Sequence, residues 1–489
     1  MLQTERKEDY FVQATLIVSG MEIKGVPCKI FLPEYTTQKP LLKFRPTKEQ
    51  YSMIRVSNEG SFRAEIFGFD QQKQVSIFAP LVYFSEMMTK SWGPEFSESS
   101  FNGEPQHLQI LRHLSGEPKP GKTYLTLWIS PNPMLGPSMV QKSEFTGDIK
   151  YERIRQLEFR VSDNLLIKFD KYFKTSNLSN NEIKQWSYLV GCTEFEVPGK
   201  QIDFYKAEIL PKIDDFLIIA SLGSRTRTAC VGWQACDPQC LATYYRGDFV
   251  FPKGEKEPSF DQGLVWLKDF YEFLKVCYSA YLNHPNRKAI KDAIISVVPG
   301  RPRTIEESFL SMFAGLESVI LDYRRRENLE FVISDKDEWN QVKKDIKNKV
   351  KEAILPKLTS EQRCFVYTKL DDLNRISLQV AFERFCTKYD IDLTDLWPLF
   401  KKGNIYGLSD IRNKLIHGDR SLDKFHDALS IANENLRFML ERILVHVLGW
   451  PVMNTEVSKD FLRTHSTIFK IMPNQQVKLS EYLSENEIP

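Results

Sequence analysis

The feature that most constrains this chain is a change of hydrophobic period close to residue 250. Before that point, runs such as YFVQATLIVSGMEIKGVPCKIFL (Tyr10 to Leu32) alternate apolar and polar residues around the turn pair Ser19 and Gly20. Similar runs follow at QVSIFAPLVYF, TYLTLWIS, NLLIKF and FLIIASL, separated by Gly-, Pro- and Asn-rich stretches. A period of two belongs to strands with one buried face. Beyond residue 260, apolar residues recur every three or four positions, the period of helices with one buried stripe. At 489 residues the chain also exceeds what one average core organises. The expectation is a two-domain α+β chain: a β-rich N-terminal domain over 1–250, an all-α domain over 255–455, and a polar C-terminal tail over 456–489.

The segment FPKGEKEPSF (251–260) reads as a linker, being polar and holding two prolines. After it, FDQGLVWLKDFYEFLKVCYSAYL and RTIEESFLSMFAGLESVILDYRRR carry helical spacing, and Thr304 with Glu307 forms a capping-box pattern. Further helices are expected at about 336–355, 360–387, 406–417 and 422–448. Pro285, Pro299, Pro302, Pro356 and Pro398 fall between them.

Net charge is only +2, so any nucleic-acid contact must come from local clusters. Candidates are RPR (301–303), RRR (324–326) and the loop holding Arg225 and Arg227. Cys230, Cys236 and Cys240, with Asp237 among them, raise the question of zinc or of a metal-dependent activity in the N-terminal half. A structural zinc site needs four ligands, often as two close pairs, and no second pair or nearby His is present. Buried thiols are the expectation. The charged start MLQTERKEDYF does not match the apolar core of a signal peptide, and no apolar run reaches the ~20 residues of a membrane helix. A cytoplasmic location without membrane contact is expected.

Chemistry concentrates in GLSDIRNKLIHGDR (407–420). Ser409 is the expected N-cap of a helix carrying Arg412, Asn413 and His417. Residues four apart lie about 40° from each other on a helix, so Asn413 and His417 share a face, with Arg412 on its flank. Cleavage of an RNA phosphodiester without metal requires a proton taken from the 2′-hydroxyl and another given to the departing 5′-oxygen. Histidine titrates near neutrality and can do either. A guanidinium matches the charge and shape of the phosphorane-like transition state, and Asn can hold the phosphate or the imidazole. The products would be a 2′,3′-cyclic phosphate or 3′-phosphate and a 5′-hydroxyl. Asp410 reads as a first-turn helix charge. Arg420 and His426 satisfy a looser version of the spacing, but Ser421 follows that Arg.

RNKLIH, in an all-helical setting, resembles the signature of the HEPN superfamily: Arg, a polar residue, a short gap, then His on a helix. ESFLSMFAGLESVI looks like the HEPN helix that brings an acidic residue, here Glu317, toward that motif. The layout of a β-rich half before such a domain is similar to the ApeA-like bacterial anti-phage proteins. The resemblance implies an all-α HEPN-type helical bundle and a metal-independent endoribonuclease without cofactor. Its catalytic residues would be Arg412, Asn413, His417 and Glu317, with Lys414, Arg420, Arg324 and Arg325 contacting RNA, tRNA being one candidate. It also implies a role in anti-phage defence through abortive infection, with the N-terminal domain sensing a phage-derived trigger or restraining the nuclease.

In-line transesterification works best with a base and an acid on opposite sides of phosphorus, and one motif supplies one histidine. A homodimer with the motif helices facing across a two-fold axis would supply the second. The competing reading is a non-catalytic RNA-binding or protein-interaction module of the same fold.

Overall fold

The structure, a computed structural model, describes residues 10–32, 39–56, 63–70, 74–91, 97–113, 122–136, 138–143, 149–155, 157–177, 183–195, 202–236, 240–247, 263–353, 359–418 and 424–485. The linker at 251–260, Asp237 and Arg420 lie outside these residues. The chain divides into two compact units, Met1–Leu274 with Val298–Pro302, and Lys275–Val297 with Arg303–Pro489. The first is β-rich and the second helical.

In the first unit the strands are β1 (Tyr10–Val18), β2 (Met21–Phe31), β3 (Leu41–Phe44), β4 (Arg63–Asp70), β5 (Val75–Ser91), β6 (Ser97–Pro105), β7 (His107–His113), β8 (Thr123–Ile129), β9 (Ser138–Ser143), β10 (Ile149–Arg155), β11 (Leu157–Ser162), β12 (Leu165–Asn177), β13 (Ile183–Phe195), β14 (Cys230–Cys236) and β15 (Cys240–Arg246). The β1–β2 hairpin turns on Ser19 (φ 50°) and Gly20 (φ 83°), with Val18 opposite Met21. Two positive φ angles in a two-residue loop match the twist of the flanking strands. Thirteen strands join in the order β11-β12-β13-β8-β14-β15-β7-β5-β4-β1-β2-β3-β6. Because β6 pairs with β5 as well as β3, the last six strands close into a ring. Alternate residues of β1 (Val12, Ala14, Leu16, Val18) point into it, joined by Ile66, Val82, Phe84 and Phe101. β9 and β10 form a separate pair.

Two helical segments accompany the strands, α1 (Lys48–Val56) and α2 (Ile202–Phe204), the latter running through a π-turn into α3 (Leu210–Ser224). α3 is apolar on nearly every side and buried from Phe216 to Ser224, where the Phe216 ring meets Phe159 and Phe169. Phe270 and Phe273 pack on Gly223, whose missing Cβ would otherwise sit 2.7 Å from the Phe273 ring. Leu264 N–H also donates to Gly223 O. These contacts place residues 263–274 with the β-rich unit, beyond the boundary at 250–255 expected from the change of hydrophobic period.

The remaining helices are α4 (Phe270–Asn283), α5 (Arg287–Val297), α6 (Ile305–Arg326), α7 (Lys336–Ala353), α8 (Ser360–Lys369), α9 (Leu378–Lys388), α10 (Leu408–Ile416), α11 (His426–Val447), α12 (Lys459–His465) and α13 (Thr467–Glu485). Among the described residues of this unit, β pairing is limited to two isolated bridges. α6 is central and packs against α5, α9, α10 and α11. Thr304 caps it, accepting from Glu307 N–H at 3.2 Å.

Two expectations need correction. The helix expected over 360–387 breaks after Lys369: a 3-10 turn follows, and Ser377 caps a fresh helix. Asn374 fixes the break, donating to Ile333 O and accepting from Ile333 N–H. The polar tail expected over 456–489 contains α12 and α13 instead. Met472, Leu479 and Leu483 are buried along α13, and the Tyr482 ring lies 4.6 Å from that of Phe425, tilted against it. No described helix is long and apolar enough to cross a membrane.

Candidate active site

The RNKLIH motif lies on α10 and its C-terminal cap. The helix begins at Gly407, not at Ser409 as its residue type suggests. Asp410 reaches back to accept from Gly407 N–H at 2.8 Å, while Ser409 N–H donates to Leu399 O. Gly407 is required there, because an added Cβ would sit 2.5 Å from the Phe400 carbonyl carbon. Asp410 is thus a first-turn charge with a capping function.

The entry of α10 is fastened to α11. Trp397 N–H donates to Asn435 Oδ1, and Trp397 Nε1 donates to Tyr406 O. Leu408 N–H donates to Pro398 O. Two residues before Trp397, Asp395 forms a two-pronged ion pair with Arg442 at 2.6 and 2.7 Å, with side chains 1% and 2% exposed. Arg442 Nε and Nη1 also donate to Val457 O and Asp392 O, so the buried guanidinium is well satisfied. Sequence reasoning missed these positioning residues. The available signal was the pair Glu441–Arg442 inside the apolar run of α11, since a charge on a buried face needs a partner.

Leu408 and Ile411 bury the inner face of α10, which packs on α6. Arg412 leans toward α6, with Nη2 3.4 Å from Glu317 Oε2 and its guanidinium carbon 5.6 Å from the Phe313 ring centre. Phe313 and Glu317, four apart on α6, present one face to it. Asn413 Oδ1 accepts from Arg412 Nη1 at 3.2 Å. The structure therefore gathers Glu317, Arg412 and Asn413, with Arg412 and Glu317 only 32% and 27% exposed.

His417 is the C-cap of α10, its N–H donating to Asn413 O, and Gly418 follows with φ 69°. The imidazole is exposed and has no hydrogen-bond partner among the described residues. Four residues lie between it and Arg412, and the five steps amount to a rise of about 7.5 Å. A half-buried guanidinium followed by an exposed, unengaged imidazole suits an extended anionic ligand lying along the helix.

The other expected RNA contacts scatter. Lys414 is half-buried on α10. Arg324 lies two turns beyond Glu317, where Nη1 donates to Ile376 O, a structural use of the charge. Arg325 stays 69% exposed beside Glu330 at 3.8 Å. In the β-rich unit, Cys230 is buried, its thiol pushed up to about 12 by burial. Cys236 lies six residues along β14, about 20 Å in extended chain, so Cys230 and the Cys236–Cys240 end of the hairpin do not share a site. Among the described residues no three His, Cys, Asp or Glu side chains are grouped to hold a metal ion. Comparison of the chain with protein-family models, with curated proteins and with solved structures gave no match.

Proposed function

We propose that the chain is an endoribonuclease of the HEPN kind that its motif resembles, using α10 as its catalytic element. The observation that carries this reading is Arg412 braced by Glu317 and Asn413, with the exposed imidazole of His417 further along the same helix. His417 takes the proton from the 2′-hydroxyl as the 2′-oxygen bonds to phosphorus. The bond from phosphorus to the 5′-oxygen breaks, and that oxygen gains a proton. Arg412 stabilises the extra negative charge on the phosphoryl oxygens. Asn413 and Glu317 hold Arg412 in register; neither needs to touch the RNA. The second proton comes from His417 of a second copy across a two-fold axis, making the working form a homodimer. Abortive anti-phage defence in the cytoplasm, with the β-rich unit as sensor of a phage-derived trigger, is the biological setting that the resemblance suggests.

Incubating the full chain with RNA in EDTA tests the reading. Cleavage to 2′,3′-cyclic phosphate and 5′-hydroxyl ends should persist in chelator. It should fall by at least ~10² in His417→Ala and in Arg412→Ala. RNA binding with no cleavage would instead select the non-catalytic module, a reading favoured by Arg412 being already paired to a carboxylate.

A further inference from the structure

We propose that α7 is a docking strip for single-stranded RNA, recognising several successive phosphates with lysines and bases with flanking rings. This deepens the nuclease reading and rests on it for the choice of polyanion. At about 100° per residue, Lys336, Lys343, Lys347, Lys351 and Lys344 fall within one arc of roughly 100° on α7. Asp337, Glu338, Asp345 and Glu352 fall outside that arc, at about 120–220° on the same wheel. Asp345 is turned toward Gln341, whose Nε2 donates to it at 3.3 Å. Acid–lysine spacings of three or four occur on the other side of the helix, at Asp345, Lys349 and Glu352, whereas Lys343, Lys347 and Lys351 on this side are like charges four apart. Lys336, Lys344 and Lys351 are exposed and have no ion-pair partner among the described residues.

The strip is flanked by rings. Lys347 Nζ sits 5.3 Å from the centre of Tyr367 on α8, and Trp339, half-buried, borders the arc on α7 itself. Lysines beside aromatic faces are the ingredients of sequence-tolerant single-strand binding, phosphates on the cations and bases on the rings. From Lys336 to Lys351 the strip runs about 22 Å, long enough to meet several successive phosphates of one strand. A membrane surface fits less well. The apolar residues of α7 (Trp339, Val342, Ile346, Val350) are half-covered by the fold, and its exposed residues are charged or polar.

The test uses the full chain, a labelled 20-nucleotide single-stranded RNA and EDTA, in the His417→Ala background so that binding is read without cleavage. Affinity is measured by anisotropy over a salt series, for this protein and for the added triple change Lys343→Gln, Lys347→Gln, Lys351→Gln. Each lost phosphate contact should flatten the slope of log K against log salt by about 0.7, so the triple change should flatten it by about 2. Near 0.1 M salt affinity should fall about 100-fold. Lys349→Gln, off the arc, should leave both unchanged. With His417 restored, the triple variant should raise KM for long RNA while leaving turnover of a dinucleotide unchanged. An unchanged salt slope in a folded triple variant overturns the proposal, as does loss confined to binding of anionic phosphatidylserine vesicles. If RNA binds through the strip but the wild-type protein never cleaves it, the strip stands and the nuclease reading falls.

Discussion

Replacing Asp395 with Asn tests how the motif helix is held. The pair it forms with Arg442 is almost wholly removed from water, at 1% and 2% exposure, with two contacts at 2.6 and 2.7 Å. At an effective dielectric of about 20, unit charges 2.6 Å apart attract by roughly 6 kcal/mol. Desolvation offsets much of that in the intact pair. Removing one charge forfeits the attraction while leaving the guanidinium buried, so the net loss should be about 3–5 kcal/mol. For a helical unit of roughly 200 residues each kcal/mol shifts the midpoint by about 2–4 °C, so melting should fall by about 6–20 °C. Circular dichroism at 222 nm reads this directly. The double change Asp395→Leu with Arg442→Met should recover much of the loss, because two apolar side chains leave no orphaned charge. A midpoint for Asp395→Asn within 2 °C of wild type would refute the claim that this pair anchors the segment leading into α10.

Glu317→Gln should separate positioning from stability. The 3.4 Å pair is about a third exposed, so its loss should cost no more than about 1 kcal/mol, yet kcat for RNA should drop about tenfold as Arg412 loses its brace. Unchanged kcat with an intact fold would remove Glu317 from the site. His284 and His446 are both held below the usual imidazole range, each chiefly by burial. The unfolded chain takes up protons near pH 6.5 that the folded chain refuses. The stability these residues contribute is therefore present above that pH and lost as pH falls through their folded values. Melting should fall from pH 7.5 to 5.0, and less steeply in His284→Gln with His446→Gln; an identical decline in the double variant would contradict this.

The division into strands and helices was legible because period two and period 3.6 are properties of neighbouring residues. The motif was legible for the same reason: Asn413 and His417 are one turn apart wherever that helix lies. The cap is not legible locally: Ser409 has the right side chain, whereas Gly407 is fixed by the approach of Phe400, which the local pattern does not encode. The helicity of 467–485 was hidden by a thin apolar face, Met472, Leu479 and Leu483, and by Pro473 within the helix. Asp395 and Arg442 are 47 positions apart, and the pairing of β6 with both β3 and β5 joins distant segments, so neither could be read from local spacing.

The closure made by β6 has a consequence for how this protein keeps to itself. A strand with unpaired amides invites another chain to add to it, and a ring of strands offers none. Of the thirteen joined strands, β6 at one terminus is sealed by β5, which leaves β11 as the terminal strand at the other end. β11 is six residues long, and Glu158 and Arg160 alternate outward along it, with Arg160 tied to Asp163 O. Shortness and outward charge are the two commonest guards against unwanted strand addition. The strand that ends this large sheet is thus defended against addition by another chain.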